Sequence, residues 1–304
     1  MNRRQRQILS RVGIIILLAA LAIFINFYKP PKESEPTSEI LRSDIVEVHF
    51  IDVGQGDSIL IEAGDSTLLI DAGENNKGAV VVDYLKSQDI TALDYVIGTH
   101  PHSDHIGGID TVLNTFGVST IIMPSVSHTT KTFEDVLNVI EEKNYTITKA
   151  VVGKEYRLGP AVFTIMAPNS SEYEDLNNYS VAVKLTYGDN SFLLTGDIEV
   201  TSEEEMLKSG FDLTSDVLKL PHHGSAYSIS NEFLDAVNPS YAAVSVGRDN
   251  KNGHPHVETL KAIKNRDIKL FRTDDQGTVV FTSDGTTISV NTEEYYITEN
   301  DLID

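Results

Sequence analysis

The sequence predicts an α/β fold in which two sheets pack face to face and helices cover both outer faces, an αββα four-layer sandwich. Three observations support this prediction. From Ile45 onward, apolar runs of strand length alternate with stretches of helical periodicity. Neighbouring runs are joined by short turns that contain Gly and Asp, which indicates hairpins and antiparallel pairing. The same mixture of hairpins and helices recurs in two similar halves, which favours two sheets.

In the first half, short turns separate the apolar strands, and the helices have one apolar face. Gly54-Gln-Gly-Asp-Ser and Gly64-Asp-Ser are the turns between the first three strands. In the helix that follows, Val81, Tyr84 and Leu85 lie at helical spacing. The predicted strands are 45–53, 59–63, 67–73, 93–98 and 120–123, and the predicted helices are 77–87, 106–114 and 132–143.

The second half repeats this alternation. Its clearest hairpin joins 181–187 to 191–195 through Gly-Asp-Asn, and a last hairpin over 278–290 turns at Ser283-Asp-Gly. An acidic helix begins near Thr201. The other predicted strands are 146–152, 161–166, 217–220 and 241–246, and a further helix is predicted over 257–264.

The N-terminal segment has the pattern of a membrane anchor. Residues 12–28 are almost wholly apolar and follow four arginines. Their length is at the low end of the roughly 17–25 residues that span a bilayer. We expect residues 1–28 to form a cytoplasmic stub and one transmembrane helix, which places the body outside the cytoplasm. Ala20-Leu-Ala22 also resembles a cleavage site, and a cleaved signal peptide would make the body secreted.

Composition divides the rest of the chain and limits its chemistry. Residues 29–43 are rich in Pro, Glu and Ser and are predicted to be a flexible linker, 44–292 a globular domain and 293–304 an acidic tail. The chain has no cysteine, so nitrogen and oxygen must hold any metal. The formal net charge of −21 disfavours nonspecific binding to nucleic acid.

The most informative stretch is residues 99–108, Thr-His-Pro-His-Ser-Asp-His-Ile-Gly-Gly. It follows the predicted strand 93–98 and contains His100, His102, Asp104 and His105. Imidazole and carboxylate ligands together suit zinc, manganese or iron. A strand that ends in a loop of clustered ligands can direct these ligands at one point. The stretch therefore predicts a metal site.

Three other strands end in polar side chains of the same kinds. They deliver Asp71, then Asp197 with Glu199, then His222 with His223. Asp and Gly at a strand end are also ordinary turn residues. Together with residues 99–108, however, the three strand ends predict one shared site.

With these motifs, the chain resembles the metallo-β-lactamase-fold hydrolases, and most closely the extracytoplasmic domain of ComEC-type competence proteins. The resemblance covers about residues 44–290 and rests on several motifs in the same order. They include Phe50-Ile-Asp-Val-Gly-Gln-Gly-Asp-Ser, Leu-Leu-Thr-Gly-Asp-Ile-Glu, Leu-Pro-His-His-Gly-Ser and Val246-Gly-Arg-Asp-Asn-Lys-Asn-Gly-His254-Pro-His256.

The resemblance implies a centre of two divalent ions, Zn²⁺ or Mn²⁺. One ion would be held by His100 and His102, and the other by Asp104 and His105. Asp197 would bridge the two ions. One residue of the His222–His223 pair would complete the set, with His223 favoured and His222 left as a substrate or proton contact.

The resemblance also implies residues around the ligands. Asp71 would orient a ligand histidine through a hydrogen bond, and Glu199 and His254 would face the substrate. The predicted catalytic residues are Asp104, Glu199, His222 and His254.

One departure from the family pattern concerns the first ion. Where many lactamase-fold enzymes have a further ligand histidine, this chain has Asn177-Asn178-Tyr179-Ser180. We assign Asn178 and Ser180 to contacts with ligands rather than with an ion. The only histidine in that interval, His128, lies well upstream in a polar loop.

A pair of ions with this ligand set suits hydrolysis of a phosphate ester through an activated water. The first hypothesis is a membrane-anchored phosphodiesterase or nuclease acting on DNA outside the cytoplasm. The body of the chain has one basic stretch, and it is more typical of a solvated helix surface than of a DNA site. The stretch contains Lys261, Lys264, Arg266, Lys269 and Arg272.

Two other hypotheses remain open. The same chemistry would serve a cell-surface polymer, as in phosphorylcholine esterases of similar fold. A noncatalytic surface binding protein could instead keep the metal for structure. A β-lactamase is disfavoured because the motifs are those of the ComEC branch. The sequence identifies no protein partner.

Overall fold

The structure is a computed structural model that describes residues 44–303. These residues confirm an α/β fold with two sheets, and apolar clusters lie between the sheets and under the helices on each outer face. The predicted anchor over 1–28 and the linker over 29–43 lie outside the described residues. Within 44–303, no helix combines the length and apolarity needed to cross a bilayer.

The first sheet has eight strands and is half antiparallel and half parallel. They are β1 (Val46–Phe50), β2 (Ile59–Ala63), β3 (Ser66–Ile70), β4 (Ala92–Ile97), β5 (Gly117–Met123), β6 (Ile147–Lys149), β14 (Val279–Ser283) and β15 (Ile288–Val290). Their order is β15-β14-β1-β2-β3-β4-β5-β6. The strands from β15 to β3 pair antiparallel, whereas β3 to β6 pair in parallel.

The second sheet has seven strands built in the same way. They are β7 (Glu155–Leu158), β8 (Ala161–Ile165), β9 (Val183–Tyr187), β10 (Asn190–Leu194), β11 (Val217–Lys219), β12 (Tyr241–Val244) and β13 (Lys269–Arg272). Their order is β13-β12-β11-β10-β9-β8-β7, antiparallel from β7 to β10 and parallel from β10 to β13. The predicted hairpin around Gly188 is β9–β10.

Helices connect the parallel strands, and one further short helix connects β13 to β14 of the other sheet. They are α1 (Gly78–Ser87), α2 (Ser103–Ile106), α3 (Ile109–Thr115), α4 (Lys131–Glu142), α5 (Val200–Lys208), α6 (Asn231–Val237), α7 (Val257–Lys264) and α8 (Thr273–Gln276). The sequence patterns located α1, α3, α4, α5 and α7, but not α6, α8 or the single turn α2. They also missed strands β7 and β13.

The inter-sheet core is centred on phenylalanine rings. Phe281 is fully buried, and its ring centroid lies 5.7 Å from that of Phe50 on β1 and 6.4 Å from that of Phe192 on β10. It also contacts Phe271 at 5.3 Å and Tyr241 at 6.1 Å. One ring therefore joins strands of both sheets.

The acidic segment at the C-terminus packs against the second sheet. Tyr295 donates its backbone N–H to the carbonyl of Leu270 at 2.7 Å, and Ile297 is 7% exposed. The guanidinium of Arg272 lies 4.6 Å from the centroid of the Tyr295 ring. The segment therefore covers the edge at β13.

Strand direction explains where the functional residues lie. Asp71 directly follows β3, and residues 99–105 follow its parallel neighbour β4. Asp197 follows β10, and His222 and His223 follow its parallel neighbour β11. The carboxyl ends of parallel strands form the usual ligand-binding edge of α/β sheets.

Replacing Phe281 with alanine tests the inter-sheet core. We expect Phe281→Ala to lower the free energy of unfolding by about 3–5 kcal/mol, because it leaves a cavity between the sheets. Tyr296→Ala is the control: this side chain is 76% exposed, so its loss should change stability by less than about 0.5 kcal/mol. Urea unfolding followed by circular dichroism measures both, and equal effects would contradict this description of the core.

Candidate metal centre

Four of the predicted metal ligands converge in one cluster. One ligand atom from each of Asp104, His105, Asp197 and His223 lies within 4.8 Å of the others. His105 Nε2 is 3.1 Å from Asp197 Oδ2, and His223 Nε2 is 3.4 Å from the same oxygen. Asp104 Oδ2 is 3.3 Å from His223 Nε2. The two sheets thus bring these four side chains together.

The atoms that face one another in this cluster fit a divalent cation. His105 donates from Nδ1 to Asp71 at 2.8 Å, and His223 donates from Nδ1 to the carbonyl of Ser245 at 2.8 Å. Each Nε2 therefore carries a lone pair when the imidazole is neutral. Within residues 44–303, both Nε2 atoms and Asp197 Oδ1 are buried without a hydrogen-bond partner. Buried polar atoms without partners are costly, and an ion held by nitrogen and oxygen would satisfy all three.

The charges of the cluster also favour a cation. Burial opposes the protonated form of His105, but Asp197 and Asp104 outweigh it and raise the pKa of His105 well above its usual value. Burial likewise opposes the charge on Asp197, but His105 and His223 hold its pKa well below the usual range. A bound metal ion would compete with protons for the same positions.

His100 and His102 form a pair beside the cluster. His100 Nε2 and His102 Nδ1 are 3.0 Å apart, and the rings of His100 and His105 are 4.2 Å apart between centroids. Burial lowers the pKa of both His100 and His102, which favours neutral imidazoles able to bind metal. Across the described part of the chain, the pair belongs to no group of three or more such ligand atoms within 4.8 Å.

Asn178 and Ser180 lie in the segment where the family pattern would place a further histidine. Ser180 Oγ lies 3.2 Å from His100 Nδ1 and accepts the backbone N–H of Asp197 at 3.0 Å. Asn178 Oδ1 accepts the backbone N–H groups of Glu199 and Ser202, each at 3.1 Å. Ser180 therefore contacts two of the predicted ligands, whereas Asn178 contacts the backbone of the segment that follows Asp197 and no predicted ligand directly.

His222 and Glu199 form a pair at the edge of the cluster. His222 Nδ1 is 3.3 Å from Glu199 Oε1, which also accepts from Asn177 at 3.0 Å. His222 Nε2 is 3.9 Å from Asp197 Oδ2, and its side chain is 24% exposed. Glu199 thus contacts His222, and the hydrogen bond with His222 is the main cause that lowers the pKa of Glu199.

The backbone that presents the two histidines is strained. His222 has φ +48° and His223 has φ +56°, and both lie in the left-handed region. Such conformations cost about 1–3 kcal/mol each in residues other than glycine and persist where the surroundings enforce them. The two side chains point in different directions from this backbone. That of His223 is buried in the cluster, and that of His222 reaches solvent.

His254 lies beside His222 and His223. Its ring is 5.5 Å from that of His222 and 6.2 Å from that of His223. Burial is the largest cause that lowers the pKa of His254 to about 4, and nearby imidazoles add to it. At neutral pH His254 is therefore uncharged, and a neutral imidazole is a weak proton donor to a leaving group.

Sequence reasoning missed two charged residues beneath the cluster, Asp57 and Lys219. Asp57 was assigned to a turn and Lys219 to an apolar strand, yet their exposed fractions are 1% and 0%. Lys219 Nζ is 2.8 Å from Asp57 Oδ2. A lysine within Val217-Leu-Lys-Leu was the available signal, because lysine is almost never fully buried without a partner.

Comparison with known protein families identifies the family of this chain. The model of the family described as Metallo-beta-lactamase superfamily matches residues 51–248. The chain belongs to this superfamily. That match covers the parallel strands of both sheets from β3 to β12, so it includes all four residues of the cluster.

Among curated proteins, the chain is similar to competence proteins of the ComEC type. The chain is 28% identical to ComE operon protein 3 of Bacillus subtilis over 91% of its length and 37% of the relative's. It is 29% identical to Competence protein ComA of Neisseria gonorrhoeae over 89% of its length and 35% of the relative's. The chain therefore spans little more than a third of these proteins.

Solved structures support the fold alone. YhfI from Bacillus subtilis, a metallo-beta-lactamase fold protein, matches with a TM-score of 0.53 at 13% identity over 78% of this chain and 99% of that one. A mutant of CmlA beta-hydroxylase matches with a TM-score of 0.50 at 11% identity over 85% of this chain and 56% of that one. One of these proteins is named a hydroxylase although it shares the fold of a family named for lactamases, so the reaction must be argued from the site.

Asp71 provides a test of how the ligands are oriented. It accepts from His105 Nδ1 at 2.8 Å, from Thr99 Oγ1 at 2.6 Å and from the backbone N–H of Thr99 at 2.8 Å. In the Asp71→Asn variant, an NH₂ group would replace one carboxylate oxygen and would face one of these donors, so at least one hydrogen bond would be lost. We expect Asp71→Asn to weaken metal binding by about 10–100-fold, as measured by calorimetric titration.

Asp94→Asn is the matched control for Asp71→Asn. Asp94 lies on β4, the parallel neighbour of the strand that Asp71 follows, and accepts the backbone N–H of Thr67 at 2.9 Å. It lies at the end of β4 remote from the cluster, so its replacement should leave metal affinity unchanged. Equal affinities in the two variants would contradict the orienting role of Asp71.

Gly56 allows a close approach between the first loop and Asp104. A Cβ atom at Gly56 would lie 2.1 Å from the backbone oxygen of Asp104, and the glycine has φ +118°. We expect Gly56→Ala to displace Asp104 and lower both thermal stability and metal affinity. Gly210 has φ +80° with nothing within 4 Å of an added Cβ, so Gly210→Ala should cost only the roughly 1–2 kcal/mol of backbone strain. Unchanged metal binding in Gly56→Ala would refute the close approach.

Proposed function

We propose that this chain is a metal-dependent phosphodiesterase that cleaves DNA outside the cytoplasm, anchored in the membrane by residues 1–28. The main support is the cluster of Asp104, His105, Asp197 and His223. Three of its buried nitrogen and oxygen atoms have no hydrogen-bond partner within the described residues. The choice of DNA rests on the similarity to competence proteins over most of the chain.

The ligand set suits phosphate ester hydrolysis. Two divalent ions about 3.5–4 Å apart, when bound, supply an activated water and neutralise the charge of a phosphate ester. Asp104, His105, Asp197 and His223 would hold the ion of the buried cluster, and His100 and His102 would contribute to a second. Asp197 would contribute its carboxylate to this centre, because Oδ2 lies 3.1 Å from His105 Nε2 of one sheet and 3.4 Å from His223 Nε2 of the other.

His222 is the best-placed proton donor for the leaving group. Its side chain is 24% exposed, and Glu199 Oε1 contacts its Nδ1. Its Nε2, which lies 3.9 Å from Asp197 Oδ2, would then be the atom that gives a proton to the leaving oxygen. A positioned acid of this kind contributes about 10²–10⁴-fold to rate. His254, neutral and beside His222, would provide a hydrogen bond to the substrate rather than a proton.

The surface charge bears on how DNA would be held. In the basic stretch of α7 and β13, three side chains already have acidic partners: Lys264 pairs with Glu299, Arg266 with Asp235 and Arg272 with Asp274. The stretch is therefore largely neutralised, which disfavours it as a site for a phosphate backbone. Affinity for DNA would have to come mainly from the metal centre.

The same observation favours a second candidate substrate. With a net charge of −21 and three of these basic residues paired, the chain suits a phosphodiester of low charge density, such as a choline-bearing surface polymer. Both candidates use one centre and one chemistry. They differ in which ester is cleaved.

A substrate panel on the full chain tests the proposal. The chain would be loaded with Mn²⁺ or Zn²⁺ and incubated with linear duplex DNA, a single-stranded oligonucleotide, a chromogenic phosphorylcholine ester and nitrocefin. We expect cleavage of DNA that stops when a chelator removes the metal. We also expect His102→Ala and Asp197→Ala to abolish turnover while circular dichroism shows a folded protein.

His128→Ala is the control for histidine removal. His128 lies in an exposed loop, where its Nδ1 is 3.0 Å from the hydroxyl oxygen of Thr130. The variant should keep full activity. Cleavage of the phosphorylcholine ester without cleavage of DNA would replace the first candidate with the second. A metal-loaded chain that hydrolyses none of these esters would refute a phosphodiesterase.

A further inference from the structure

The fully buried Lys219 lies at the end of β11, directly below the metal cluster. Its exposed fraction is 0%. Its ammonium group donates to the carbonyl of Gly196 at 3.2 Å and to that of Leu220 at 3.1 Å, and it pairs with Asp57 Oδ2 at 2.8 Å. A lysine has three donors, and all three are used here.

Each of these partners belongs to a segment that carries ligands or contacts one. Gly196 directly precedes Asp197, and Leu220 is three residues before His223. Asp57 donates its backbone N–H to the carbonyl of Asp104 at 3.1 Å. Lys219 thus joins the loops after β10 and β11 directly, and it reaches the loop after β4 of the other sheet through Asp57.

The side chain of Asp57 lies behind two of the ligand imidazoles. Asp57 Oδ1 is 3.5 Å from His223 Nδ1, and Asp57 Oδ2 is 3.8 Å from His105 Nδ1. Both Nδ1 atoms face away from the Nε2 atoms that point into the cluster. The Nδ1 protons of the two rings are donated to Asp71 and to the carbonyl of Ser245, so Asp57 acts on the rings through its charge, which increases their basicity toward a metal.

Stability alone does not account for a buried charge pair at this position. Two buried charges lose their hydration, and a well-packed apolar pair of similar volume is often as stable or more stable. The hydrogen bonds of Lys219, however, go to backbone groups close to metal ligands, which an apolar side chain would not hold. The pair therefore has a use in the geometry of the cluster.

We infer that Lys219 is a positioning residue for the metal centre: with Asp57, it fixes the loops of Asp104, Asp197 and His223 at the spacing that a divalent ion requires. The inference rests on the metal centre of the proposed function. It concerns the affinity for the ion and holds whichever phosphodiester is the substrate.

The test measures Zn²⁺ binding to the full chain by calorimetric titration, with Zn²⁺ alone as the probe. We expect Lys219→Met to raise the Kd by about 10–100-fold, the range seen when residues that support metal ligands are replaced. Far-UV circular dichroism and thermal unfolding of the metal-free protein report separately on the fold. A purely structural lysine would change the unfolding temperature and leave the Kd of the folded protein unchanged.

Lys184→Met is the matched control. Lys184 lies on β9 of the same sheet and, like Lys219, contacts both a carboxylate and a carbonyl, here the Oδ2 of Asp212 at 3.2 Å and its backbone oxygen at 2.8 Å. The side chain of Asp212 is 75% exposed, and neither residue contacts a segment that carries ligands through this pair. The replacement should leave the Kd for Zn²⁺ unchanged.

A double variant keeps the test valid if Lys219→Met leaves Asp57 unpaired and does not fold. Asp57→Asn combined with Lys219→Met removes both buried charges. It should unfold at a higher temperature than either single variant and still bind Zn²⁺ weakly. A folded variant without Lys219 that binds Zn²⁺ as tightly as the unmodified chain would overturn the inference. An unmodified chain that binds no Zn²⁺ would instead refute the metal centre itself.

Discussion

The buried carboxylate of Asp197 is the constraint on which the site depends. It is 2% exposed, and its pKa stays well below the usual range despite burial. A buried negative charge needs cationic or hydrogen-bonding partners, because it has lost its hydration. His105 and His223 provide the nearest side-chain nitrogens, and the remaining oxygen lacks a partner within the described residues. The arrangement is that of a site for a cation.

The two-sheet architecture supplies these partners from distant parts of the sequence. Parallel strands of each sheet end at one shared edge, so β4 contributes Asp104 and His105 while β10 and β11 contribute Asp197 and His223. The antiparallel hairpins complete the inter-sheet core that fixes this edge. The ligands thus lie on loops, but each loop is short and is held by hydrogen bonds to its neighbours.

Much of the fold and the ligand set follows from local sequence patterns. Strand ends such as Leu68–Asp71 and Phe192–Asp197 could be identified because alternation and apolar runs are local, and metal ligands have a restricted chemistry. Strands β7 and β13 were missed because they are short and carry charged residues such as Arg157 and Lys269, which obscure the alternation. Helix α6 has only seven residues, and its buried Phe233, Leu234 and Val237 make a single apolar repeat.

The contacts that could not be predicted all join residues far apart in sequence. The pairing of Lys219 with Asp57 spans both sheets, and the pairing of Lys264 with Glu299 depends on how the C-terminal segment packs. The contact of Glu199 with His222 likewise joins loops that follow different strands, and the positive φ of His222 is signalled by no local pattern. Long-range packing decides such contacts, because propensity and periodicity describe only neighbouring residues.

The most direct test of this account is a crystal structure of the chain soaked with Zn²⁺, with anomalous diffraction measured at the zinc absorption edge. The account predicts a strong anomalous peak enclosed by Asp104, His105, Asp197 and His223. A peak elsewhere with these four side chains empty, or no peak at all in crystals containing zinc, would contradict it.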